Sequence, residues 1–222
     1  MKYIFSTLAL VSLTALFSCS DSSPAPAPLN AIVYKDLNAD YAPFDFTIPT
    51  QGEPARPTQK RKYTFFSFKT GAVVANSDSA TNKWDIGFRA TSIIFNSGTS
   101  GPGSTQAQMV TGIFSELTAA PEAGYQSDNS TARAFVISSS PLTPGATTTN
   151  NWWQSTGSQN STIVTPIPGR LIVIKTSDGR YAKMEILSYY KGAPVSPNNV
   201  SDLDRHYTFQ YVYQPAASTS LK

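Results

Sequence analysis

The sequence predicts an all-β domain, an antiparallel sandwich or barrel-like fold of short strands and long loops. Three observations point to it. Charged residues make up 14% of the chain and aromatics 12%, against a usual charged share of about 25%; with abundant Thr and Ser, that mixture suits half-buried strands. Strand-length runs bounded by Gly, Asn, Asp or Ser follow one another with little helical period between them. Finally, residues 205–214 alternate cleanly, with Tyr207, Phe209, Tyr211 and Tyr213 on one face and His206, Thr208, Gln210 and Val212 on the other.

Taken in order, residues 1–18 open with Lys2, run apolar from Tyr3 to Phe17, and end at a small residue before Cys19. This is the pattern of a secretory signal. Leu16-Phe17-Ser18-Cys19 also fits a bacterial lipobox, so Cys19 is expected to become the acylated first residue of the mature chain. The apolar stretch falls short of the about 20 residues that a membrane span needs. Cys19 is the sole cysteine, so its lipidation removes disulfides, thiolate metal sites and a thiol nucleophile together. Residues 19–30 read as lipidated Cys and a Pro/Ala-rich tether in extended conformation.

Residues 31–215 form the expected single domain, and 216–222 a frayed tail. Residues 49–62 read as irregular, closing on the solvated basic cluster Lys60-Arg61-Lys62. Strands are predicted at 63–68, 72–75, 84–88, 92–95, 106–111 and 133–138. The Gly- and Pro-rich stretch 96–103 is a loop by composition, and 113–117 suits one helical turn. Residues 171–175 and 181–190 flank Asp178-Gly179, which predicts a hairpin with a primed turn.

Several chemistries lack their residues. The net charge of +3 falls by one when Lys2 leaves with the signal, which gives no footprint for nucleic acid. The single His has no nucleophile or Cys/His set near it in sequence, so neither a hydrolytic triad nor a zinc site is predicted. Acidic residues are too sparse for a calcium loop. The chain reads as a binding protein and not as an enzyme.

Read together, Tyr63-Thr64-Phe65-Phe66-Ser67-Phe68, Gly71-Ala72-Val73-Val74, Trp84-Asp85-Ile86-Gly87-Phe88, the 96–103 loop, Ala182-Lys183-Met184-Glu185-Ile186, Tyr189-Tyr190-Lys191-Gly192 and Tyr207-Thr208-Phe209-Gln210-Tyr211-Val212-Tyr213 resemble the HmuY family of haem-binding surface lipoproteins of Gram-negative bacteria. The resemblance spans residues 63–214 and the lipoprotein start. It implies an all-β fold with a haem cleft between strand pairs and long loops, a lipid anchor in the outer membrane facing the cell surface, and delivery of haem to a TonB-dependent receptor. It also implies axial His or Met ligands on two loops, which correspond here to residues 138–151 and 154–169.

Neither segment contains His, Met, Cys or Tyr, the side chains that ligate haem iron. Ser158 stands near one expected ligand position, and its hydroxyl is a poor donor to iron. The remaining donors are Met109, just after the Gly-rich loop, and His206, on the polar face of the last strand; Met184 alternates with Ala182 and Ile186 and is expected in the core. Met109 is the better thioether candidate, while His206 reads first as a half-exposed strand histidine. Trp152 and Trp153 are adjacent, so one is expected in the core and the other near the surface, where it can stack on a porphyrin or a sugar ring. The expected function is non-catalytic capture of haem or a haem-like planar ligand for uptake. The alternative is a β-sandwich lipoprotein that binds a glycan or another apolar ligand through a Trp.

Overall fold

The computed structural model describes residues 28–40, 45–50, 53–55, 61–128, 136–144, 150–156 and 162–222. Cys19, the signal and tether up to residue 27, Ser158 and most of the 133–138 stretch lie outside the described residues.

The strands, in chain order, begin with β1 (Ile32–Asn38), β2 (Asp45–Thr50), β3 (Glu53–Ala55), β4 (Thr64–Ser67) and β5 (Ala72–Val74). There follow β6 (Ile86–Arg89), β7 (Ser92–Phe95), β8 (Gln106–Thr111), β9 (Trp153–Thr156) and β10 (Ile163–Pro166). The last three are β11 (Arg170–Lys175), β12 (Tyr181–Ser188) and β13 (His206–Gln214). Five form an antiparallel sheet in the order β1-β13-β12-β11-β8, and four form a second in the order β5-β4-β6-β7. β9 with β10, and β2 with β3, make two-stranded ribbons.

Period-2 alternation explains how the two larger sheets face each other. Tyr207, Phe209 and Tyr211 of β13 share one cluster with Phe66, Ile86, Phe88, Ile93 and Phe95 of the smaller sheet. Rings meet across the layers: Phe88 lies 4.9 Å from Tyr207, and Phe66 lies 5.4 Å from Phe209 with its plane nearly perpendicular. Each such aromatic pair adds about 1 kcal/mol beyond its buried area. Met184 is fully buried in this core, as the alternation predicts.

The opposite face of the five-stranded sheet is also covered. Residues 112–121 cross it and place Phe114 on Leu171 and Val212. Leu117 N–H donates to Ile113 C=O at 3.2 Å, so the predicted helical turn forms. Its carbonyls receive a buried cation: Lys183 Nζ donates to Phe114 O and Leu117 O, both at 2.8 Å, and lies over the Phe114 ring. Burial pulls the Lys183 ammonium below its ordinary pKa.

Three local expectations need correction. The tail expected to fray is docked, because Leu221 fills a gap beside Val173 and Ala120 and Ser220 bridges Ala119. Its one large apolar side chain has a socket, which a lack of periodicity does not reveal. Second, the 176–180 turn is not primed. Only Gly179 takes positive φ, at 74°, and its N–H donates to Thr176 O, so a type I turn ends in a Gly-supported bulge. Third, β1 and the pairing of Asp45–Thr50 with Glu53–Ala55 arise where no strand or only irregular chain is predicted. The 96–103 loop forms as expected, and it is also an anchor: fully buried Asn96 binds Thr81 O, Trp84 O and Gly103 N–H through its side chain. Gly101 and Gly103 are required there, since a Cβ at either would run into Asn96.

Candidate functional site

The sandwich has two poles. One is the loop pole, where β6 turns into β7, β13 begins, and the segments expected to carry haem ligands lie. Of residues 154–169, much is the β9–β10 ribbon and not a loop; residues 157–161, between its strands, lie outside the described residues. Residues 138–144 form a strap beside it, with parallel bridges from Ser138 to Asn151 and from Leu142 to Gln154. The two segments to which the resemblance assigns ligands therefore stand side by side. Leu142, Ile163 and Val164 are half-buried there.

Both tryptophans lie at this pole, and both are buried, at 1% and 7% exposure. This corrects the expectation that one would reach the surface. The alternation argument fails because Trp152 precedes β9 and is not part of its pleat. Trp152 packs 5.3 Å from Tyr207 and 6.0 Å from Tyr189, and its indole N–H donates to Thr91 O at 3.0 Å. Trp153 donates its own to Ser139 O at 3.1 Å, fastening the strap. Neither ring presents an open stacking platform.

The phenols here are also engaged. Tyr207 O–H donates to Ala90 O at 2.7 Å, and the Tyr190 phenol Oη accepts from Val164 N–H at 3.1 Å. Burial holds the Tyr207, Tyr189 and Tyr190 phenols above their ordinary pKa, which disfavours a phenolate for iron.

His206 opens β13 and is buried, not half-exposed. The 189–205 connection folds back on it: its N–H donates to Tyr189 O at 3.0 Å, and Nδ1 lies 2.7 Å from Asp204 O. Met109 lies at the middle of β8, opposite Ile172, and packs partly buried against the main core. β12 and β11 separate their two strands. Three strand spacings amount to about 14 Å, so Met109 and His206 do not converge on one metal. Among the described residues no group of three His, Cys, Asp or Glu side chains is placed to hold a metal ion.

The other pole is polar. Asp85 and Asp128 are buried there, at 8% and 2% exposure. Asp85 Oδ2 accepts from Phe68 N–H at 2.8 Å, and Asp128 accepts from Phe95 N–H at 2.8 Å and Val136 N–H at 3.1 Å. Burial raises both carboxyls, that of Asp85 to about 6 despite its hydrogen bonds. No sequence motif for a site flagged these acids, although Asp85 stands within the Trp84–Phe88 run that carries the resemblance. Beside Asp85 opens a cleft of about 510 Å3, a volume that suits a small ligand.

Among known proteins, a family model described as HmuY protein matches residues 59–211. No curated protein matches the chain. Several solved structures are similar to this chain, among them the following three. One is a HmuY-like haem binding protein of Bacteroides vulgatus, 18% identical with TM-score 0.46, the match covering 83% of this chain and 91% of that one. Another is an apo HmuY analog of Tannerella forsythia, 15% identical with TM-score 0.42, covering 85% and 96%. The third is a lipoprotein of Bacteroides fragilis, 15% identical with TM-score 0.43, covering 69% and 86%. The family match takes in the four-stranded sheet, the five-stranded sheet apart from β1 and the end of β13, the buried acids and the loop pole, and by it this chain belongs to the HmuY family.

Proposed function

We propose that this protein is a non-catalytic ligand-capture lipoprotein, anchored through Cys19 at the outer surface of a bacterial outer membrane, that takes up a planar tetrapyrrole for transfer to a TonB-dependent receptor. The tetrapyrrole lies at the loop pole against the strap and the β9–β10 ribbon, on half-buried apolar side chains such as Leu142 and Ile163. It is held by ring contact without an axial pair, because residues 138–151 and 154–169 contain no His, Met, Cys or Tyr. The observation that carries this reading is the adjacency of strap and ribbon within an HmuY-family chain.

Parallel titrations with haemin and metal-free protoporphyrin IX test it. The expected result is binding of both with affinities within about tenfold, or 1.4 kcal/mol, and weakening of both by Leu142→Asp. Failure of both to bind sinks the tetrapyrrole reading. Haemin binding far more tightly, with a sharpened Soret band lost in His206→Ala or Met109→Ala, replaces ring contact by axial ligation. The anchor is tested separately: labelled palmitate should enter the wild-type chain and be absent from Cys19→Ala.

A further inference from the structure

The cleft at the polar pole is not accounted for by tetrapyrrole capture. β13 runs its whole length between the two poles, a separation of roughly 30 Å for nine residues. The cleft opens where the β4–β5 connection meets the β11–β12 turn, and its volume of about 510 Å3 suits a small molecule.

Its lining favours a particular chemistry. Val74 and the Tyr213 ring supply apolar surface, and the remaining lining side chains are polar or charged, among them Thr70, Asn82 and Asp85. Among the described residues, the Asn82 amide, the Thr70 hydroxyl and the Tyr213 phenol make no hydrogen bond, so donors and acceptors are free to receive a ligand. The two cations at the rim are already matched: Lys69 Nζ lies 3.7 Å from Asp178 and Lys83 Nζ 3.0 Å from Asp78. A rim neutralised from within gives little attraction to an anion. Iron is also disfavoured, since the lining has no His, Met or Cys and burial pushes the Tyr213 phenol up to about 12.

We infer that this cleft is a second ligand site, specific for a small neutral polyhydroxylated molecule of one or two sugar rings. Each sugar hydroxyl both donates and accepts, which matches the free amide, hydroxyl and phenol. The faintly apolar ring face matches Val74 and Tyr213. The site is independent of the tetrapyrrole reading.

Titration of the mature chain with D-glucose, D-galactose, D-mannose, N-acetyl-D-glucosamine, lactose and maltose, followed by saturation-transfer NMR, tests the site. At least one should bind saturably, and Asn82→Ala and Thr70→Trp should each weaken it by about tenfold or more. Both positions are exposed, so the thermal midpoint and porphyrin titration should stay unchanged. Inorganic phosphate should not bind. No saturable binding by any of the six sugars overturns the proposal, as does an affinity that survives both substitutions, or phosphate binding in their place. A chain that fails with porphyrin and binds sugar loses only the function proposed for the loop pole.

Discussion

The two poles close the same sandwich with opposite materials. At the loop pole the plugs are rings: Trp152, Trp153, Tyr189 and Tyr207, packed on one another with each indole N–H satisfied by a backbone carbonyl. At the polar pole the plugs are Asp85, Asp128 and Asn96, each tying strand ends through backbone N–H or C=O groups. Rings contribute through volume and area, which pH does not change. Buried carboxyls contribute through hydrogen bonds whose cost depends on ionisation. The sandwich should therefore respond to cavity formation at one end and to protons at the other.

The largest effect should come from emptying the ring pole. Trp152→Ala removes a fully buried indole and should cost about 3–5 kcal/mol, read as a lower urea midpoint with equal loss at pH 5 and pH 8. A loss below about 1 kcal/mol would mean that the strap collapses into the space, and the pole is not a packed plug.

Protons test the other end with a somewhat smaller effect. Asp85 has a folded pKa raised from 3.8 to about 6, so the folded state holds this proton more tightly than the unfolded one. Its contribution is most favourable below about pH 4 and is lost as pH rises through 6, by up to about 3 kcal/mol. The raised Asp128 carboxyl acts in the same direction. Asp85→Asn keeps an acceptor for Phe68 N–H and removes the charge. It should flatten this part of the pH profile and leave the variant at least as stable as wild type at pH 8. A wild type that gains stability from pH 4 to pH 7, with Asp85→Asn showing the same gain, would contradict the assignment.

A subtler contrast lies within the ring pole. Tyr207→Phe keeps the ring in place and deletes only the bond to Ala90 O, leaving that carbonyl unpaired. The expected cost is about 1–2 kcal/mol, well under that of Trp152→Ala. Equal costs would show that the phenol bond, and not ring volume, closes this end.

Sequence patterns reveal the ring face of β13 and the strands at 92–95 and 106–111 well, because two-residue periodicity reports directly which face is buried. They reveal the poles poorly. Trp152 is buried against Thr91, Tyr189 and Tyr207, all distant in the chain, His206 by a connection that folds back, and Leu221 by a socket in residues 119–120 and 173. Each burial is set by long-range topology, which no local period encodes. The buried acids were hidden for a different reason: an isolated Asp at a strand end has the sequence appearance of a turn residue. Their role depends on which N–H groups the neighbouring strands leave open.

The smallest effect bears on the boundary of the polar pole. The Lys69–Asp178 pair spans the cleft mouth at 3.7 Å, with its side chains 71% and 46% exposed. Burial works against the Asp178 carboxylate, but the Thr176 hydroxyl and the Lys69 charge bring its pKa below the ordinary value. Solvent screens such a pair, and its two long side chains lose freedom in holding it, so Lys69→Ala should change stability by less than about 0.5 kcal/mol. Urea unfolding of Lys69→Ala at low and at high salt measures this. A loss above about 1 kcal/mol that vanishes in salt would show that charges at the mouth, and not the buried Asp85, hold the β4–β5 connection to the β11–β12 turn. A negligible loss places the polar closure on the buried hydrogen bonds, so the cleft rim can change its residues without loosening the sandwich beneath it.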